Sequence, residues 1–288
     1  TRITREQLDA LPVADRNFAD LATLAPLAGP QQSLAGQRWT STDIRLDGAQ
    51  SRNQLRAGEI NGGPASISLE AVREFEVSTS LYDVALGRQG GGQIAAVTRS
   101  GTNTPEARLF TAFRNTNLAA ARDFVGRERR ARETQQLQTA LAAGGPVVRD
   151  RAHWFAAYDR QDAQDQLITG DVSSINAQNT SGIARDSLQR VLALLASRYG
   201  LPDTAGQLGR LPRAPQSHTV FARVDWQLTP RNRLTWRLTA SDWRSPLSGG
   251  VDQPIALREA RSTFTSREAQ LYTALSSQLG ANSAHELQ

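Results

Sequence analysis

The chain contains no cysteine, no methionine and no lysine among its 288 residues. Without cysteine it has no disulfide framework and no thiolate metal site. An intact translation product begins with Met, so this sequence is expected to be a processed chain or a piece of a longer one. Without lysine, all 33 basic residues are Arg and the formal net charge is +5. Their only dense run, Arg127 to Arg132, is interrupted by Glu128, so no nucleic acid is expected as a partner. No stretch approaches the ~18–20 consecutive apolar residues of a membrane helix. That absence leaves a membrane β-barrel open, because its strands carry only a weak alternating signal in segments of about ten residues.

Signals of bond chemistry are equally sparse. His153, His218 and His285 lie far apart in sequence, with no acidic or Cys partner at ligand spacing, so no metal site is expected. Neither a Gly-x-Ser-x-Gly elbow nor a His-Glu-x-x-His helix is present. The run Gly87-Arg-Gln-Gly90-Gly91-Gly92 superficially resembles a phosphate loop, but a strand rather than a helix follows it. No cofactor and no catalytic residue are assigned.

What the sequence does contain changes character near residue 105. Before it, helix and short strand are mixed. Thr4 to Leu11 reads as a helix with Thr4 and Gln7 in capping-box spacing, ended at Leu11-Pro12. A second helix is predicted over Asn17 to Leu24. Thr42 to Leu46 reads as a strand ending at the turn pair Asp47-Gly48. One helical turn is placed at Ser68 to Val72, and a strand at Arg73 to Ser78 with Phe75 and Val77 on one face and Glu74 and Glu76 on the other. Gly87 to Gly92 forms a tight turn, and Gln93 to Arg99 a strand buried on both faces.

Beyond residue 105 the period is two. Six strands are predicted: Ala107 to Arg114, Gln135 to Ala143, His153 to Gln161, Thr219 to Leu228, Arg233 to Trp243 and Arg267 to Leu279. In the fourth, Val220, Ala222, Val224, Trp226 and Leu228 oppose Thr219, Arg223, Asp225 and Gln227, and Phe221 breaks the pattern. In the fifth, Leu234, Trp236, Leu238 and Ala240 oppose Arg233, Thr235, Arg237, Thr239 and Ser241. Connections alternate between short ones at 144–152 and 229–232 and long ones at 115–134, 162–217 and 245–266. The longest carries an amphipathic helix, Asp186 to Tyr199, whose apolar face is Leu188, Val191, Leu192, Leu195 and Tyr199. A half-buried soluble sheet gives the same alternation, so period alone leaves sandwich and barrel open. Short turns on one side and long loops on the other are the layout of an outer-membrane barrel.

Several stretches in combination resemble TonB-dependent outer-membrane receptors, most closely their Oar-like branch. They are Leu11-Pro-Val-Ala-Asp-Arg-Asn-Phe18, Leu46-Asp-Gly48, Glu70-Ala-Val-Arg-Glu-Phe-Glu-Val77, Tyr82 to Gly92 and Val97-Thr-Arg-Ser-Gly-Thr-Asn103. Ala121-Arg-Asp-Phe124, Gly144-Gly-Pro-Val-Val-Arg-Asp150 and Phe221-Ala-Arg-Val-Asp225 extend the match. Asp15 stands where that branch commonly has Gly.

The resemblance implies an α+β plug over 1–105 and, over 106–288, the first antiparallel strands of a transmembrane β-barrel, an incomplete barrel of about six strands with a long loop at 162–217. It implies a fragment of a receptor in the outer membrane of a Gram-negative bacterium, in contact with outer-membrane lipid. That receptor binds an unknown extracellular ligand and passes it when the TonB–ExbB–ExbD complex pulls on the plug. A TonB box is expected upstream of Thr1. The alternatives are an Oar-like surface or secretion-related protein that imports no nutrient, and a soluble β-rich binding module. Arg73, Glu74, Arg88 and Arg99 are the candidate plug–barrel contacts, and Gly87, Gly90, Gly91 and Gly92 the plug turn. An enzyme is not expected.

Overall fold

A computed structural model describes residues 1–10, 18–29, 33–38, 41–51, 67–79, 92–118, 134–169, 185–202, 206–248, 257–280 and 283–287. They form two sheets that share one apolar core.

The first sheet is built from β1 (Arg2–Thr4), β2 (Asp43–Leu46), β3 (Ala49–Gln50), β4 (Val72–Ser78) and β5 (Gln93–Thr98), in the order β1-β4-β5-β2-β3. β2 and β5 run parallel, and the other pairs are antiparallel. A short helix α1 (Arg5–Ala10) follows β1, and single 3₁₀ segments lie at Phe18–Leu24 and Leu69–Ala71. The expected capping at Thr4 is present in its reverse half, with the Thr4 amide donating to the Gln7 side chain at 3.0 Å. Its hydroxyl is turned to Glu6 instead, because Thr4 already belongs to β1, a strand not expected from the sequence. The predicted helix at Asn17 to Leu24 is a 3₁₀ segment over its described part.

Phe75 and Val77 turn into the core beside Ile44, Leu46, Ile94 and Ala96, so both faces of β5 are largely covered. Asp47 and Gly48 both have positive φ, 47° and 83°, in the two-residue turn from β2 to β3. Gly92, at φ 120°, sits where a Cβ would come within 2.5 Å of the Ser78 carbonyl, so no larger residue fits this entry to β5. The rest of the predicted glycine turn, Gly87, Gly90 and Gly91, lies outside the described residues, as does Arg88.

The second sheet is antiparallel with eight strands rather than about six. They are β6 (Glu106–Asn115), β7 (Thr134–Val148), β8 (Ala152–Thr169), β9 (Gly209–Arg213), β10 (Gln216–Thr229), β11 (Asn232–Ser248), β12 (Ser262–Gln278) and β13 (Ala284–Leu287). Consecutive strands pair as a meander, and β9 continues the edge of β10 along β8. Among the described residues the sheet is open, with β6 and β13 at its edges. The segment at 162–217 is therefore not one loop: β8 runs on to Thr169, helix α2 occupies Arg185–Tyr199, and β9 precedes β10. Gly200, at φ 69°, closes α2 with its amide on the Ala196 carbonyl at 3.2 Å. Within the expected apolar face of α2, Leu188 and Leu192 are buried, whereas Val191 and Tyr199 are exposed. Among the described residues no helix is long and apolar enough to cross a membrane, which says nothing of strands.

The registers turn the alternating pattern into two surfaces. Leu109, Leu141, Tyr158, Val220, Ala240 and Ala269 are consecutive cross-strand neighbours on the outward face. Trp154, Val224 and Trp236 form another such row, and Trp226 and Leu234 the next. Trp236 is 54% exposed and Leu109 70%, so this is an apolar band presented to the surroundings. The opposite, inward face carries Asp159, Thr219, Phe221, Asp225, Arg237 and Thr239, all buried under the first sheet's side of the molecule. Phe221, the exception in the sequence pattern, belongs there. It meets Phe155 edge-on at 6.2 Å, and both complete the apolar core of the first sheet.

Candidate functional site: arginine contacts between the two sheets

The first sheet sits against the inward face of the second and is held there largely by guanidinium groups. The turn that makes Asp47 adopt a left-handed backbone also aims its carboxylate at β10 and β11. Asp47 accepts from the Thr98 amide (2.8 Å) and hydroxyl (2.7 Å), which ties the β2–β3 turn to the end of β5. Arg237 of β11 then donates from one Nη1 to Asp47 at 2.8 Å and to the Leu46 carbonyl at 2.7 Å. The Arg237 side chain is 0% exposed and lies 4.7 Å above the Tyr272 ring. Its Nε and Nη2 are buried with no hydrogen-bond partner among the described residues, where the ring face and Asp47 carry the compensation of its charge.

Arg223 of β10 adds a second contact, donating to the Thr98 hydroxyl at 2.7 Å and approaching Asp47 at 3.5 Å. Its other two nitrogens form a fork on Asp225 at 2.7 and 3.0 Å. Asp225 also receives Thr235 at 3.0 Å and Arg233 at 3.1 Å, so it positions Arg223 from within the second sheet.

A second cluster surrounds Glu70, which is 1% exposed in the 3₁₀ turn capped by Ser68. Arg5 of α1 reaches Glu70 at 2.8 Å and also donates to the Leu69 carbonyl at 2.7 Å. From the second sheet, Arg108 lies 3.4 Å from Glu70 and donates to Asp9 at 2.8 Å. Burial alone pushes the Asp9 carboxyl up, but the Arg108 hydrogen bond and nearby Arg5 outweigh it and hold the group below the usual range. The same Ser68 that caps the turn donates to Asp159 of β8 at 3.2 Å. Gln270 of β12 donates to the Gln50 carbonyl at 3.1 Å.

The four arginines and acids singled out in the sequence separate in space. Arg99 lies between the sheets: it pairs with Glu106 of β6 at 2.7 Å and stacks 4.8 Å from the Phe155 ring. Glu74 is paired within its own sheet, with Arg2 of β1 and with Arg73 at 3.3 Å. The hydrogen bond from Arg2 holds its carboxyl below the usual range. Arg73 is largely exposed: the register of β4 shifts between Val72 and Glu74, so Arg73 is the extra residue there and does not follow Phe75 and Val77 to the core side. Arg88 lies outside the described residues. Asp47, Glu70, Arg223 and Arg237 stand outside that set. In the sequence Asp47 stands out as a turn residue and as part of the Leu46-Asp-Gly48 match, and the polar strand rows hold both arginines, but neither signal names a partner.

Among the described residues no group of three or more His, Asp or Glu is placed to hold a metal. His153 meets the Asn103 side chain at 2.8 Å and His218 the Tyr158 hydroxyl at 2.8 Å.

A protein family described as an outer membrane beta barrel domain matches residues 97–279, more than half of the chain. The chain belongs to the outer membrane β-barrel family. The TonB-dependent transporter Oar of Myxococcus xanthus is 32% identical over 153 residues, covering 50% of this chain and 14% of that protein. Among solved structures, a mutant of the ferric enterobactin receptor of Pseudomonas aeruginosa superposes with a TM-score of 0.64 at 15% identity, covering 97% of this chain and 39% of that one. The outer membrane transporter YddB of Escherichia coli gives 0.65 at 13% identity, covering 97% and 37%. At these identities the structural likeness shows the fold. The resemblance to TonB-dependent receptors and their Oar-like branch is met by these findings, which also assign the chain to the outer membrane. The chain spans well under half the length of each relative.

Proposed function

We propose that this chain is the gating part of a TonB-dependent outer-membrane transporter: residues 1–105 act as a plug and residues 106–288 as the first strands of the barrel around it. Its work is binding and gated passage rather than bond chemistry. The long connections face the exterior and, with the plug, meet an extracellular ligand. The TonB–ExbB–ExbD complex draws on the plug from the other side. The observation that carries this reading is Arg237, fully buried in a barrel strand yet spent on Asp47 and Leu46 of the plug. A permanent core position is better filled by an apolar residue, since a buried ion pair gives little net stability over a well-packed hydrophobic one. Polar contacts that can be broken and remade suit an interface that has to separate.

The test is a reversible lock in the full-length protein. Ser68 and Asp159 touch across the interface, and the chain has no cysteine of its own. With Ser68→Cys and Asp159→Cys, oxidation should stop TonB-dependent accumulation of radiolabelled candidate ligands, and reductant should restore it. Undiminished uptake by the fully oxidised protein sinks the gate. Uptake that is the same with and without TonB favours the Oar-like surface or secretion-related role.

A further inference from the structure

A guanidinium group can hold a carboxylate through its side-on fork, Nε together with Nη2, or end-on through Nη1. Two arginines of the second sheet use the fork. Arg223 grips Asp225 with it at 2.7 and 3.0 Å, and Arg213 grips Asp165 at 2.5 and 2.8 Å. Arg237 does not. It reaches Asp47 and the Leu46 carbonyl through Nη1 alone, and its fork is buried without a hydrogen-bond partner among the described residues. The next inward residue of β11, Thr239, holds its buried hydroxyl in the same condition. Within the set joined by these contacts, Arg223, Arg233 and Arg237 face Asp47 and Asp225, three guanidinium groups against two carboxylates. All but Asp47 belong to β10 and β11. When Asp47 leaves, three cations face one acid on a wall that stays in place.

We propose that the ligand drawn past this wall carries an oxyanion group, a carboxylate or a phosphate, which takes the fork of Arg237 as Asp47 withdraws. Leaving buried donors unmade is costly, and a contact that served only to hold the plug would spend the fork on Asp47, as Arg223 spends its own on Asp225. The free edge instead suits a second acceptor with two oxygens side by side. Arg237 points inward, against the first sheet, so withdrawal of that sheet opens the fork to the lumen. The Thr239 hydroxyl adds a donor beside it on the same face. The guanidinium then exchanges one acceptor for another and is not left bare. This inference rests on the gate proposed above and adds to it the class of ligand.

The experiment uses the full-length protein in a planar lipid bilayer, with urea raised until the N-terminal unit leaves the barrel. Under a potassium chloride gradient, the preference of wild type for chloride over potassium should exceed that of Arg237→Gln about threefold. Inorganic phosphate and citrate, one for each kind of oxyanion, are then added. At least one should block the wild-type chloride current. About tenfold more of it should be needed in Arg237→Lys, which keeps the charge and loses the fork. Thr239→Val should need about threefold more. Equal selectivity of wild type and Arg237→Gln, or block by neither anion, overturns the inference and leaves the gate standing. Equal block of wild type and Arg237→Lys shows that charge alone suffices and overturns the fork assignment. If release of the unit opens no current, the gate fails, and this inference fails with it.

Discussion

Asp47 and Glu70 are both acids of the first sheet's unit met by arginines of the second, but they are held differently. At Asp47 both cations come from β10 and β11, and one of them, Arg237, is wholly buried. At Glu70 the nearer cation, Arg5, belongs to the same unit as the acid, and the contribution from across the interface is the half-exposed Arg108 at 3.4 Å. If the unit moves, Glu70 leaves with its partner, whereas Asp47 leaves a buried guanidinium behind. The Asp47 contact is therefore the one whose rupture sets the cost of separation, and the Glu70 cluster keeps the departing unit intact.

This contrast orders the expected effects. Asp47→Ala strands Arg237 without its carboxylate, and should destabilise docking of the N-terminal unit by about 3–5 kcal/mol, the cost of breaking a buried pair from one side. Urea unfolding of that unit within the full-length protein in micelles measures this, and a loss below about 1 kcal/mol would erase the distinction. Glu70→Gln should cost less, about 1–3 kcal/mol, because Arg5 keeps its bonds to the Leu69 and Val72 carbonyls and Gln can still accept one hydrogen bond. If Glu70→Gln proves the more damaging, Glu70 rather than Asp47 sets the cost of separation.

The smallest effect is in pH. Asp9 and Glu74 both have carboxyls held below their ordinary values in the folded state. Their stabilisation is complete above the unfolded carboxylate range, about pH 4, and is lost as pH falls through the lowered folded values. The urea midpoint should be level from pH 7 to pH 5 and decline below about pH 4, less steeply in Asp9→Asn. A decline already present between pH 7 and pH 6 would point to a different group.

Much of this architecture can be read from residue order, for reasons that also mark where reading stops. Strand alternation is a local property, so the outward row from Val220 to Leu228 and the inward Arg223 and Arg237 follow from period two. Register and partner are not local. Nothing in Asp47-Gly48 beyond a turn signal says that the carboxylate meets side chains some 190 residues away. Phe221 looks like a defect in a lipid-facing pattern until the core of the first sheet is seen to need it. β9 contains Pro212 and is only five residues long, and β13 is short and exposed, so neither rises above its surroundings as a strand. Arg73 and Glu74 were attractive because charged residues beside a buried strand invite a partner, and Glu74 found one in the unpredicted β1.

The second sheet holds the first through Asp47 and Arg237. A double-mutant cycle with Asp47→Ala and Arg237→Ala, read as urea stability of the N-terminal unit in the full-length protein, tests it directly. The expected coupling is at least about 1.5 kcal/mol, with the double variant recovering much of what each single change loses. Losses that add to within about 0.5 kcal/mol would show that the two groups act independently, and would contradict it.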